Sequence, residues 1–175
     1  MADFAFNIES VNIAAASSLT TLATWPTGAL TVDLGKTRGG GSIRQEVEEF
    51  IVESDQSADP EYVGIKKAPK TLTLNLLDLK AANLAIAFAG TVGTGALANT
   101  VTIPNLPDGI ERAVKIVTVA IGSTGKKLEI IIPRCKFKGN SELSLNRDDA
   151  STLPLEGKVL APNSGAPMQM KWLSS

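Results

Sequence analysis

Three groups of residues have the types and spacing to do chemistry. The first is Gly35-Lys36-Thr37, followed at once by "RGGGS" at 38–42. Glycines beside a lysine and a hydroxyl can cradle a phosphate. A Walker loop, however, needs G-x-x-x-x-G-K-[ST] between a strand and a helix. The place of its first glycine holds Leu30, and the glutamate-rich, β-like "IRQEVEEFIVESDQ" follows. That segment would repel a phosphate, so the glycines read as a sharp turn between antiparallel strands 28–35 and 42–53.

The second group is carboxylates. Strand side chains alternate, so Glu46 and Glu48 share a face with Arg44, while Glu49 and Glu53 share the other with Val47 and Ile51. Paired carboxylates can do acid–base work or bind calcium. A calcium loop needs closely spaced Asp and Asn with glycine, so a solvated strand face is the better reading. Asp148-Asp149 in "LNRDDAST" reads as a turn between strands 142–146 and 152–160.

The third is Cys135, in the strand-like "IIIPRCKFK", which reads as a small packing residue. It is the one cysteine, and histidine is absent. An intrachain disulfide and a Cys/His zinc site are therefore excluded. Most general-base and nucleophile schemes also lean on histidine. The expectation is no enzyme: no catalytic, cofactor-binding or metal residues, and no cofactor.

The elements that must carry these residues are mostly strands. "ALTVDLG", "TLTLNL", "KLEIIIPRCKF", "ELSLN" and "MQMKW" alternate, and "AVKIVTVAI" shifts phase between Ile116 and Val117, as a bulge or a doubly buried strand does. "AIGSTGKKLEI" predicts a hairpin. Residues 59–70 read as a loop, and 90–109 as a loop or loose hairpin. One segment has helical spacing, residues 79–89, with Asp78 as N-cap and Gly90 closing it in the left-handed conformation. Strands, one helix and strands again give a mainly β fold. We expect an antiparallel β-sandwich or incomplete barrel with one docked α-helix, in a single domain over 1–175 with an extended N-terminal segment and loops.

Composition agrees. Apolar residues make up 43% and charged residues 20% of the 175-residue chain. No apolar run approaches the roughly 20 residues of a membrane helix, and the N-terminus lacks the pattern of a secretory signal. The net charge of −1 argues against a nucleic-acid clamp. Charge is uneven: residues 1–60 hold nine acids and three bases, the remainder nine acids and fourteen bases. Such halves suit a subunit whose two surfaces meet head to tail. The length and two-sided polarity of strand 42–53 point the same way, to partners in another subunit.

Two stretches, "VDLGKTRGGGSIRQEVEEFIVESDQSADP" and "GIKKAPKTLTLNLLDLKAANLAIAFAG", resemble the tail tube proteins (major tail proteins) of tailed bacteriophages. Together they cover residues 31–90, about a third of the chain. The resemblance implies a structural virion protein that self-assembles into hexameric rings. Each copy contributes a long hairpin to an oligomeric β-barrel, and the stacked rings form the channel for DNA ejection. It implies a tape-measure protein, a tail terminator and baseplate or distal tail proteins as partners, DNA passing without specific binding, no membrane, and assembly in the host cytoplasm. On this reading Arg44, Glu46 and Glu48 face the lumen as a negative collar, Val47 and Ile51 pack inward, and Asp55 and Asp59 meet some of Lys66, Lys67, Lys126 and Lys127 between rings. The alternative is a β-sandwich binding or capsid-decoration module, with Trp25, Tyr62 and Trp172 as candidate contact aromatics.

Overall fold

Alternation is strongest in Lys70–Leu76, where Leu72, Leu74 and Leu76 are buried and Thr73 and Asn75 between them are half-buried. That strand lies inside a nine-stranded antiparallel sheet. The computed structural model describes residues 2–16, 25, 31–52, 62–122, 125–139, 141–143, 151–162 and 165–173. In chain order the strands are β1 (Ala2–Phe6), β2 (Ile8–Ala15), β3 (Thr31–Asp33), β4 (Thr37–Gln45), β5 (Glu48–Val52), β6 (Tyr62–Lys67) and β7 (Lys70–Leu76). After the helix α1 (Ala81–Ala87) come β8 (Thr91–Val92), β9 (Val101–Thr102), β10 (Ile110–Thr118), β11 (Lys127–Phe137), β12 (Leu153–Val159) and β13 (Gln169–Leu173).

The main sheet runs β1-β4-β7-β12-β11-β10-β2-β3, with β13 also on β11. One edge of β11 serves two neighbours: residues 127–131 pair with β13, and 135–137 pair with β12. The short β11–β12 contact lets the sheet turn into two layers without closing into a barrel. Leu72, Leu74, Leu76, Leu153 and Leu155 from one layer meet Val11, Ile13, Val114, Ile116, Ile130 and Ile132 from the other in one core. This is the expected mainly β, sandwich-like fold with one helix.

The helix is shorter than the 79–89 expected. Lys80, not Asp78, is the N-cap, and no side chain caps it. Asp78 instead pairs with Lys80 at 3.2 Å. At the other end Ala89 takes the left-handed conformation (φ 51°) one residue before Gly90. The strand β10 does carry irregularities, between Arg112 and Val114 against β11 and between Val117 and Thr118 against β2. Strands β10 and β11 form the expected hairpin, and β8 and β9 a small one.

Three expectations fail on local geometry. Gly39–Gly41 are not the turn between two strands; they lie within β4, whose register against β7 shifts between Thr37 and Gly41. They form a bulge, with φ of 71° at Gly39 and 76° at Gly40. A Cβ on Gly40 would sit 2.1 Å from the Phe6 carbonyl oxygen on β1, so only glycine lets the two backbones approach there. Strand 42–53 is broken at Glu46 and Val47, and its partners are β7 and then β6, not 28–35. Residues 62–67, read as loop from nearby prolines and lysines, form β6 because Tyr62, Val63 and Ile65 pair against β5. The proposed strand 142–146 and the Asp148-Asp149 turn fall mainly outside the described residues.

Candidate assembly surfaces

The long hairpin is the organising feature. Gln45 pairs with Lys70, the Glu46 amide donates to the Pro69 carbonyl at 3.1 Å, and Glu48 then pairs with Lys67. The strands β4–β5 and β6–β7 are thus two legs of one hairpin. Pro69 has no amide to give the ladder, and the register slips between Glu48 and Glu49. Beyond this break the outer part leaves the sheet as a separate two-stranded arm, β5–β6, whose strands pack chiefly on each other.

The arm is apolar on both faces. Its register puts Phe50, Val52, Tyr62 and Gly64 on one face and Ile51, Val63 and Ile65, with Glu49 at the base, on the other. These six large side chains remain 43–67% exposed. Phe50 and Tyr62 lie 5.6 Å apart, centroid to centroid, tilted at 51°. Both rings rest on Gly64, where a Cβ would come within 2.4 Å of Phe50 Cε1 and 2.8 Å of Tyr62 Cε1. Val47 and Ile51, expected to pack inward, are exposed here because no second layer covers the arm.

The inner part of the hairpin presents a different surface. Ser42, Arg44, Glu46, Thr71 and Thr73 line a broad polar depression together with Lys138, Glu156 and Lys158. Arg44 pairs with Glu46 at 3.1 Å, and Lys138 pairs with Glu156. The face therefore mixes signs, with three cations against two carboxylates, where a negative collar was expected. Arg44 and Glu46 lie on this face. Glu48 lies on the arm instead, 3.3 Å from Lys66 and 3.9 Å from Lys67.

The other candidates scatter. Asp55 and Asp59 lie outside the described residues, between β5 and β6 in the chain. Lys66 and Lys67 are at the base of the arm, already facing Glu48 of their own chain. Lys127 is held by Glu9 at 2.6 Å. Lys126 is exposed just before β11, bridged through its backbone to Ile121. Trp25 is half-buried, and Trp172 is exposed on β13 beside exposed Met170. Sequence reasoning missed the two-faced apolar arm, although "EEFIV" and "YVGIKK" carry consecutive apolar residues that no single buried face can absorb.

Cys135 is buried, and burial pushes its thiol up to about 12, which makes it a packing group at neutral pH. The two stretches that carried the tail-tube resemblance meet in space. Asn83 of α1 is buried and its Nδ2 donates to the Leu34 carbonyl at 2.8 Å and to the Asp78 carbonyl at 2.7 Å. The Leu77 amide donates to the Lys36 carbonyl at 2.8 Å, and Gly35 sits against the Asp78 side chain. The turn at 34–36 and the approach to the helix are thus one locked unit, from which the long hairpin departs.

No helix among the described residues is long and apolar enough to cross a membrane. A search of curated protein sequences returns no match. A family model described as "Phage tail tube protein" matches residues 8–175, nearly the whole chain, so the sandwich, its helix lock and its hairpin arm are those of a member of the phage tail tube protein family.

Proposed function

We propose that this chain is the ring-forming subunit of a tail tube: copies close into rings, six to a ring, and the rings stack to form a DNA channel. The observation that carries the reading is the arm with apolar residues on both faces. Burying a large apolar side chain is worth about 1.5–3 kcal/mol. A free ribbon forgoes that gain on both faces. One neighbour can cover one face, and the second face then calls for another copy. A subunit that touches copies beside it and copies in the next ring has both.

The polar face at Ser42, Arg44, Glu46, Thr71 and Thr73 supports a channel wall on the inner part of the hairpin. Its pairing of Arg44 with Glu46 and of Lys138 with Glu156 leaves little unbalanced charge to hold phosphates. Arg44 and Glu46 are the lumen residues of this proposal, and Glu48 belongs to the contact surface. Stacking through Asp55 and Asp59 against Lys66, Lys67, Lys126 and Lys127 stays part of the reading; Lys66, Lys67 and Lys127 would exchange their present partners for it. Tape-measure, terminator and baseplate partners, and assembly in the host cytoplasm, are part of the same reading, supported by membership of the family.

Negative-stain microscopy of the purified protein tests the proposal. Rings or tubes with a central hole are the expected result, lost in Ile51→Glu/Val63→Glu while the thermal midpoint is kept. A monomer at all concentrations, together with a virion whose tail lacks this protein, overturns it.

A further inference from the structure

A second apolar surface of this chain matches the aromatic face of the arm. Between α1, β8 and the open edge strand β3 lies a groove of about 360 Å³, lined by Ala82, Ala85, Gly90, Val32, Val92 and Arg112, among others. That volume is near the low end of the roughly 300–1,000 Å³ that small-molecule pockets span. Three of these residues are Ala or Gly, so the floor is hollow where a larger side chain would have filled it. Val32 and Val92 on the rim are exposed. Arg112 is the charged residue of the lining. Its Nη1 donates to the neighbouring Glu111 carbonyl at 2.9 Å, and it makes no ion pair with a carboxylate of the described residues.

The arm offers the complement. The Phe50–Tyr62 pair is already packed over Gly64 with its rings tilted at 51°, so docking it costs little side-chain entropy. Large rings suit a floor of small residues, and a ring face attracts a guanidinium that has no acid beside it. The other face, Ile51, Val63 and Ile65 with Glu49, is branched aliphatic and offers no ring to a floor of small residues. We propose that the groove receives the Phe50–Tyr62 face of the arm of another copy. The contact is heterologous, arm of one chain to helix groove of the next, which is the kind that closes rings or propagates stacks. It rests on the tube reading above and assigns the arm's receptor within it.

The test places a photoreactive benzoylphenylalanine at Tyr62 and illuminates assembled tubes made from mixed light and heavy isotope-labelled protein. The expected products are light–heavy crosslinks joining residue 62 to the peptide that spans α1 and β8. In parallel, Ala82→Trp fills the groove from a half-buried position. It should raise the protein concentration needed for tubes by about tenfold or more, as loss of a central aromatic anchor does, with an unchanged thermal midpoint. Phe50→Ala should do the same, and Tyr62→Phe should not. Tubes that form normally while residue 62 crosslinks to β13 or to the polar sheet face overturn the docking site and leave the tube reading standing. Wild-type protein that makes no tubes and no intermolecular crosslink overturns both.

Discussion

Strand β7 and the β5–β6 arm belong to one hairpin and use similar residues, yet they solve opposite problems. In β7 the apolar residues alternate strictly, Leu72, Leu74 and Leu76, and all three are buried against the second layer. In the arm Phe50, Ile51 and Val52 run consecutively and face Tyr62, Val63 and Ile65, so both faces are apolar and neither is covered within the chain. The first pattern stabilises the fold of one copy. The second adds little to that fold and leaves its burial energy ungained within one copy, which is what the proposed contact with other copies would use. The break at Glu46, Val47 and Pro69 separates the two roles along a continuous hairpin.

The comparison breaks most directly by truncation on each side of that break. Leu74→Ala should lower unfolding stability by about 2–5 kcal/mol, as large-to-small changes in a full core do. Val63→Ala on the arm should stay within about 0.5 kcal/mol of wild type while weakening assembly. Urea denaturation of the monomer measures both. An equal loss at the two sites would mean that the arm is part of the folding unit.

Asn83→Ala should cost about 1–3 kcal/mol, because the Leu34 and Asp78 carbonyls lose their buried donor. Thermal melting checks the size. The same substitution should also loosen the turn from which the hairpin departs, read as faster amide exchange at Leu77, whose bond to Lys36 depends on the same lock.

The body also contains a titrating group whose effect has a definite sign. Burial raises the Cys135 thiol from 9.0 to about 12. The unfolded chain therefore releases its proton first as pH rises. Stability from this group is complete below pH 9 and is lost progressively between pH 9 and about 12. Between pH 8 and pH 10 the loss should be about 1.4 kcal/mol, and Cys135→Ala should abolish that part of the slope. A wild-type slope unchanged by the substitution would place the cause elsewhere.

The smallest effect has the opposite sign. Ala89 holds a left-handed φ of 51° at the end of α1, a conformation that costs a side chain with a Cβ. Ala89→Gly should therefore stabilise the body by about 0.5–1 kcal/mol, measured as a higher melting temperature, with assembly unchanged. A lower melting temperature would show that the Ala89 methyl, which approaches Gly139, matters more than the backbone strain.

Much of the body was legible because period and burial coincide there. "TLTLNL" and "KLEIIIPRCKF" alternate, and their apolar residues are the ones buried between the layers. The alanine-rich segment was recognisable as the helix, although its cap was not. Asp78 has the right chemistry for an N-cap, but tertiary contacts with Gly35 and Lys80 take its carboxylate away. The triple glycine was recognisable as backbone needing positive φ, and equally consistent with a turn or a bulge. The approach of β1 to Gly40 made it a bulge. Of the candidate lumen residues, Arg44 and Glu46 line one depression, and Glu48 stands just past the interruption of the strand at Glu46 and Val47, still in register opposite Lys67.

By itself, then, the sequence determined a mainly β fold with one helix, a core drawn from alternating strands, and a chain without histidine. These are local properties: alternation, propensity and residue type are written in neighbouring positions. Only the tertiary structure decided which strands pair, where the long hairpin leaves the sheet, and that its outer part stands apart with both faces uncovered. Those features depend on partners far apart in the chain, β4 with β7 and Leu34 with Asn83, and periodicity says which side chains share a face but not what lies against it.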